Sequence, residues 1–321
     1  VSWPWRSPEA TRQALTAKIR ARHSQGLRGQ RLRQVAYRRL LARIFATQPE
    51  RWVVKGGVAL LLRLDPNRAS NDIDLAYVAE AGEHAVALQA LAEAAAHDLG
   101  DFFEFEIGRD QVQHVDPDHP LERALSVPVV ARIGTAIFAE FSIDLALPRD
   151  DGDVEIEWVQ PEATLTGDPE VDQTEPVALL ALPAQIADKV CALYERHGDG
   201  KYSSRARDLA DLAMIAQQKD VEGDQLIAHV RREEARRRAA GTLAEPLPKK
   251  LRLAEEQVVD WVGRWAKATR DAPLSLDEAQ AVATAFLTRC SPAMPRACAG
   301  TSQRRPGTRS SSSLGRPVSL M

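Results

Sequence analysis

Two short segments hold the residues whose types and spacing could do chemistry. Lys55-Gly56-Gly57 falls where the periodicity changes, between the strand candidate Trp52-Val53-Val54 and residues 58–64, which read as a helix packed behind it. Two glycines at a strand-to-helix junction let backbone N–H groups approach an anion closely, and the helix that starts there directs its positive end to the same place. That is a phosphate cradle. Further on, Asp72 and Asp74 lie two apart in the alternating stretch 72–78, a half-buried strand, so their carboxylates share one face. Adjacent carboxylates repel unless a cation lies between them, which makes this pair a natural Mg2+ site. Arg68 and Ser70, just before the pair, are placed to contact phosphate or order the loop. A phosphate cradle beside a Mg2+ site describes nucleotide chemistry.

The elements that must position these groups can be read around them. Ser7-Pro8 marks a helix start leading to about residue 22. A second helix follows, with Leu32, Val35, Ala36, Leu40, Leu41, Ile44 and Phe45 at helical spacing and Arg31, Arg33, Arg38, Arg39 and Arg43 between them. Asp65-Pro66-Asn67 reads as a turn, and residues 81–99 as an Ala-rich helix. Strands are expected at 102–107, 127–133, 136–147 and 154–159, with Gly134-Thr135 as a hairpin turn. Asp144 is the single charge in Phe141-Ser142-Ile143-Asp144-Leu145. An unpaired charge fully buried there would cost several kcal/mol, so it is either an exposed strand residue or a third carboxylate beside the pair. Residues 160–176 read as an extended connection. Helices are expected at 183–197, 204–218, 221–240, 253–268 and 275–289. The Pro-, Gly-, Ser- and Arg-rich end, 291–321, reads as disordered. The expected organisation is therefore basic helices over 1–50, a core over 51–175, a helical region over 176–290 and the tail.

Composition removes several classes. The 321 residues carry a net charge of −3, but residues 1–50 contribute +9, residues 279–321 contribute +6, and the segment between them holds −18. A near-neutral total thus hides a polarised chain. No apolar run approaches the ~20 residues needed to span a bilayer, and the Arg-rich start is no secretory signal, so a cytoplasmic protein without a membrane partner is expected. The three cysteines have no CxxC spacing and the seven histidines are scattered, which leaves carboxylates and a hard cation for any metal chemistry.

The order of residues carries a resemblance. Gly-Gly, a short spacer and Asp-x-Asp resembles the motif of polymerase-β-type nucleotidyltransferases. More narrowly, Lys55-Gly56-Gly57-Val58-Ala59-Leu60 with Arg68-Ala69-Ser70-Asn71-Asp72-Ile73-Asp74-Leu75 resembles the AbiEii/AbiGii-type toxin family, which includes the MenT-like enzymes. The similarity extends from about Gln30 to Ala216. It implies an α+β fold: a nucleotidyltransferase core with a small mixed sheet, N-terminal basic helices and a C-terminal helical bundle. It also implies Mg2+-dependent transfer from an NTP, with Lys55, Gly56, Gly57, Arg68 and Ser70 at the nucleotide, Asp72 and Asp74 on the metal, and Asp144 as base for the attacking hydroxyl. Ile186-Ala187-Asp188-Lys189-Val190 and Arg205-Ala206-Arg207-Asp208-Leu209-Ala210-Asp211-Leu212 resemble the family's Lys and Asp motifs. They imply that Lys189 is a phosphate ligand and that Asp211, in preference to Asp208, is the active-site acid; Asp208 would instead pair with Arg205, serve the helix start or join the nucleotide site.

The implied acceptor is RNA, by association with MenT-type enzymes the 3′ end of tRNA, and the implied partner is a cognate antitoxin of a type IV system. The basic N-terminal helices would suit an RNA backbone; the alternative is that their arginines are solvated or pair with the acidic body. Two other functions stay open on sequence: nucleotidylation or phosphorylation of a protein hydroxyl, and nucleotide binding without catalysis.

Overall fold

The computed structural model describes residues 3–64, 70–79, 83–115, 124–147, 154–161, 165–172, 175–197, 200–268 and 274–290. Arg68, the turn expected at 65–67 and the tail at 291–321 lie outside them. The Ser7 side chain accepts a hydrogen bond from the Ala10 N–H at 3.1 Å and starts α1 (Pro8–Arg22), with Pro8 in the first turn where no donor is needed. α2 (Arg28–Thr47) follows, and the chain then enters the sheet.

β1 (Trp52–Lys55) runs into α3 (Gly56–Arg63), and β2 (Asp72–Tyr77) returns antiparallel to β1 with Lys55 opposite Asp74. α4 (His84–Ala95) precedes β3 (Phe103–Ile107), β4 (Gln113–His114), β5 (Ala124–Ile133) and β6 (Ala136–Ala146). The hairpin between β5 and β6 turns at Gly134, whose φ of 59° is the left-handed conformation that such a turn requires. β7 (Ile156–Val159), α5 (Pro169–Asp172) and β8 (Val177–Leu180) complete an eight-stranded mixed sheet of order β3-β5-β6-β2-β1-β8-β7, with β4 also paired to β5. β2 is parallel to β6, and β1 is parallel to β8. Strand alternation makes the functional face: β2 buries Ile73, Leu75 and Tyr77, and leaves Asp72 and Asp74 half-buried on the other side.

The buried face packs with α2, α3 and α4 into one apolar cluster that includes Leu40, Ile44, Val58, Ile73, Leu91 and Ile143. A second cluster joins α6 (Leu182–Ala192), α7 (Ala206–Gln218), α8 (Gly223–Ala239), α9 (Glu255–Ala268) and α10 (Leu276–Arg289), and the short strands β9 (Arg196–His197) and β10 (Lys201–Tyr202) pair antiparallel between α6 and α7 in the chain. Leu60 of α3 belongs to this second cluster, while its neighbours Ala59 and Leu61 belong to the first. The short helix that begins with the glycines therefore lies where the two cores meet.

Four sequence expectations need correction. The helix expected over 58–64 spans Gly56–Arg63, so the two glycines are its first two residues. The helix expected over 81–99 spans only His84–Ala95. β8 falls where the helical region was expected to begin, and three consecutive residues of it, Val177, Ala178 and Leu179, are buried, so it shows no alternation that would mark it as a strand. The largest correction concerns α2. Arg31, Arg38, Arg39 and Arg43 are buried, not arrayed as an open basic face. Arg43 reaches both carboxylate oxygens of Asp101, at 2.5 and 3.0 Å, and the Phe103 carbonyl at 2.8 Å. Arg39 adds a 2.6 Å ion pair to the same Asp101 and stacks over the Trp3 ring. Four of the arginines that the sequence counts as available to RNA are thus inside the fold, while Arg12 and Arg20 of α1 are exposed.

Candidate active site

The site forms where β1 ends, α3 begins, and β2 and β6 lie side by side. Asp74 is paired in register with Lys55 on one side and with Asp144 on the other. Neighbouring strands are about 4.8 Å apart and alternate residues of one strand about 7 Å. The three carboxylates of Asp72, Asp74 and Asp144 thus occupy one patch, all on the half-buried face. Ser126 of β5 stands opposite Asp144, and the Ser70 hydroxyl donates to Asp72 Oδ1 at 3.3 Å and to the Asp72 carbonyl at 3.1 Å.

The glycine pair meets this patch directly. Gly56 has φ of 58°, and a Cβ placed on it would lie 1.8 Å from Asp74 Oδ2, so no side chain fits while that carboxylate stays in place. The Gly57 N–H points at Asp74 Oδ2, 3.3 Å away. A backbone donor at a helix start, aimed beside paired carboxylates, is the arrangement needed to bind a phosphate oxygen next to a cation.

Electrostatics support a cation there. Burial, then the charges of Asp74 and Asp72, push the Asp144 carboxyl up to about 6, against the opposing pull of Ser126 and Lys55. Burial and Asp74 likewise raise Asp72, opposed by Ser70 and Arg207 among others. Among the described residues no group of three or more His, Cys, Asp or Glu is disposed to hold a metal ion. A site for Mg2+ does not need such a cage, because this ion keeps water and phosphate ligands and takes only one or two carboxylates from the protein. Asp72 and Asp74 fit that requirement.

Lys189 of α6 and its partners on α7 come together as a separate buried cluster. The Lys189 ammonium, with only 5% of the residue exposed, bonds Asp208 Oδ1 at 2.6 Å and Asp211 Oδ2 at 2.7 Å. Arg205 pairs with the other Asp208 oxygen at 2.7 Å, as the sequence reading allowed. One lysine thus holds both aspartates. One helical turn before Lys189, Gln185 donates from Nε2 to the Gly56 carbonyl at 2.6 Å, linking α6 to the cradle.

Two residues near the site were not singled out from sequence. Gln185 looked like a polar position in an ordinary helix, and nothing local distinguishes it. Arg207, exposed in the first turn of α7, acts on Asp72 across the fold. Its position beside Asp208 was the available signal.

A mixed sheet that sets a Gly-Gly helix start over an Asp-x-Asp strand, with a third aspartate in register on the next strand, defines the nucleotidyltransferase class. The chain belongs to the AbiEii family: the family model for the nucleotidyl transferase AbiEii toxin of type IV toxin-antitoxin systems matches residues 39–286. Among solved structures the fold is similar to MenT4, a nucleotidyltransferase toxin from Mycobacterium tuberculosis H37Rv, with a TM-score of 0.54 and 17% sequence identity over 90% of this chain and 95% of that one. A search of the curated proteins by sequence found no match. Among the described residues no helix is long and apolar enough to cross a membrane.

Proposed function

We propose that the chain transfers a nucleotidyl group from an NTP to an RNA hydroxyl, with the 3′ end of tRNA as acceptor and pyrophosphate as leaving group. The observation that carries this reading is the Gly57 N–H directed at Asp74 in a patch that also contains Asp72 and Asp144. In this mechanism the start of α3 binds the triphosphate through backbone N–H groups. Asp72 and Asp74 are the residues that would hold Mg2+, whose contribution when bound is to neutralise phosphate charge. Asp144, raised towards neutral pH, takes the proton of the attacking hydroxyl. Arg207, exposed beside Asp72, offers a cation to the phosphates of nucleotide or acceptor. The buried arginines of α2 reduce the basic surface assigned to RNA to α1, whose Arg12 and Arg20 are exposed, so the acceptor is supported by the family relationship and by exposed cations such as these and Arg207. The toxin family makes a cognate antitoxin the expected regulator, in a cytoplasmic setting.

The test is incubation of the purified chain with total RNA, Mg2+ and each NTP in turn, labelled at the α- or the γ-phosphate. The expected result is α-label in RNA, lost in Asp74→Ala. Label in a protein, γ-label in any product, or incorporation unchanged in Asp74→Ala would overturn the reading.

A further inference from the structure

The carbonyl of Gly56 and the N–H of Gly57 belong to one peptide unit, and in a trans peptide they point in opposite directions. Whatever holds the carbonyl therefore aims the donor. The carbonyl is held by Gln185, which is 2% exposed and donates from Nε2 at 2.6 Å. The orientation of that amide is itself determined. Arg63 donates from Nη1 to Gln185 Oε1 at 2.9 Å, and a guanidinium has no acceptor, so the amide oxygen must face Arg63 and the NH2 must face Gly56. Arg63 is fixed in turn by Glu157 and the Leu180 carbonyl, both at 2.9 Å from Nη2, and Glu157 also accepts from the Leu182 N–H at the start of α6. Both ends of α3, Gly56 at its start and Arg63 at its last turn, are thus tied to a single side chain of α6.

The first turn of α3 already engages the Gly56 carbonyl, and Gln185 adds a side-chain restraint where two consecutive glycines make that turn easiest to distort. Without it, the first turn is freer to open and to carry the Gly57 N–H away from the carboxylate patch.

We infer that Gln185 is a positioning residue for the nucleotide: acting through the Gly56 carbonyl, and oriented by Arg63, it keeps the Gly57 N–H facing the Asp74 patch, where the triphosphate would bind. The inference rests on the nucleotidyltransferase reading of the site. Gln185→Glu is nearly isosteric and still accepts from Arg63, but its carboxylate repels the Gly56 carbonyl where the amide had bonded it.

In this variant NTP affinity, measured by calorimetry with each NTP and Mg2+, should fall about tenfold, the loss of one well-placed hydrogen bond. KM for the NTP should rise by the same factor, and in 15N-glycine-labelled protein the Gly57 amide resonance should move. A purely structural role would lower the folded fraction, and so the apparent kcat, without moving KM. Affinity and KM within twofold of the unaltered chain, with the Gly57 resonance unmoved, would overturn the inference. If Gln185→Glu does not fold, the unaltered chain decides: the Gln185 side-chain amide must exchange slowly and shift on addition of NTP, and a fast-exchanging, unresponsive amide refutes the brace. If the unaltered chain binds no NTP, the functional reading falls, while the Gly57 resonance of the variant still reports on the peptide.

Discussion

Gly56→Ala separates two costs that the structure places at one position. The first is conformational: a left-handed φ of 58° costs a residue with a Cβ about 1–2 kcal/mol. The second is steric. The added Cβ would sit 1.8 Å from Asp74 Oδ2, 2.3 Å from Cγ and 2.9 Å from Cβ, so rotation of the carboxylate relieves only part of the overlap, and such overpacking costs about 1–3 kcal/mol. Together they predict a loss of about 2–5 kcal/mol, measured by urea denaturation at 25 °C. In Gly56→Ala/Asp74→Ala the carboxylate is gone, leaving the conformational part and the 2.9 Å contact with the remaining Cβ, so the double variant should lie closer to Asp74→Ala alone than Gly56→Ala lies to the parent. Activity follows the displaced carboxylate. A shift of about 1 Å at a reacting centre costs on the order of 10²-fold, so nucleotide incorporation by Gly56→Ala should fall at least that far. A Gly56→Ala chain as stable as the parent would refute the left-handed requirement. Strictly additive single and double variants would refute the contact with Asp74.

Three further outcomes follow from the buried charges. Burial raises Asp101, but the hydrogen bond from Arg43 and the charges of Arg39 and Arg43 outweigh it and hold the carboxyl below its ordinary range. Its contribution is therefore present above that range and lost as pH falls through it, and Asp101→Asn should cost about 3–5 kcal/mol at pH 7 and flatten the acid limb of a urea-midpoint profile. Lys189→Met leaves two buried carboxylates facing each other, with Arg205 still on Asp208; thermal melting should show a loss of about 3–5 kcal/mol in addition to lost activity. Asp144 has the opposite sign to Asp101: its carboxyl is raised from 3.8 to about 6, so the unfolded chain holds fewer protons and stability falls as pH climbs between those values. In EDTA, Asp144→Asn should be the more stable chain at pH 7, by about 1 kcal/mol after solvent screening, with the advantage vanishing near pH 4.

The parts of the site that were legible are those fixed by neighbours in the chain. Asp72 and Asp74 share a face because strand side chains alternate, and Gly56 tolerates its φ because it lacks a Cβ; both follow from a few consecutive residues. Asp144 was legible for a related reason, as a lone charge in an apolar strand, although only the parallel pairing of β2 with β6 sets it beside Asp74. What local pattern does not contain is the partner of a charge. Arg43 and Arg39 find Asp101 across 58 and 62 residues, and Gln185 finds Gly56 across 129. Counting charge by segment therefore gave α2 a surface it does not present, and it passed over Gln185, which carries no charge to count. The same limit applies to the body's −18: Asp101, Asp208 and Asp211 are closed against arginine or lysine, whereas Asp72, Asp74 and Asp144 face one another. Net charge cannot separate the two groups. The separation comes from pairing, and it is the carboxylates left facing like charges that the chemistry of a bound cation and phosphate would use.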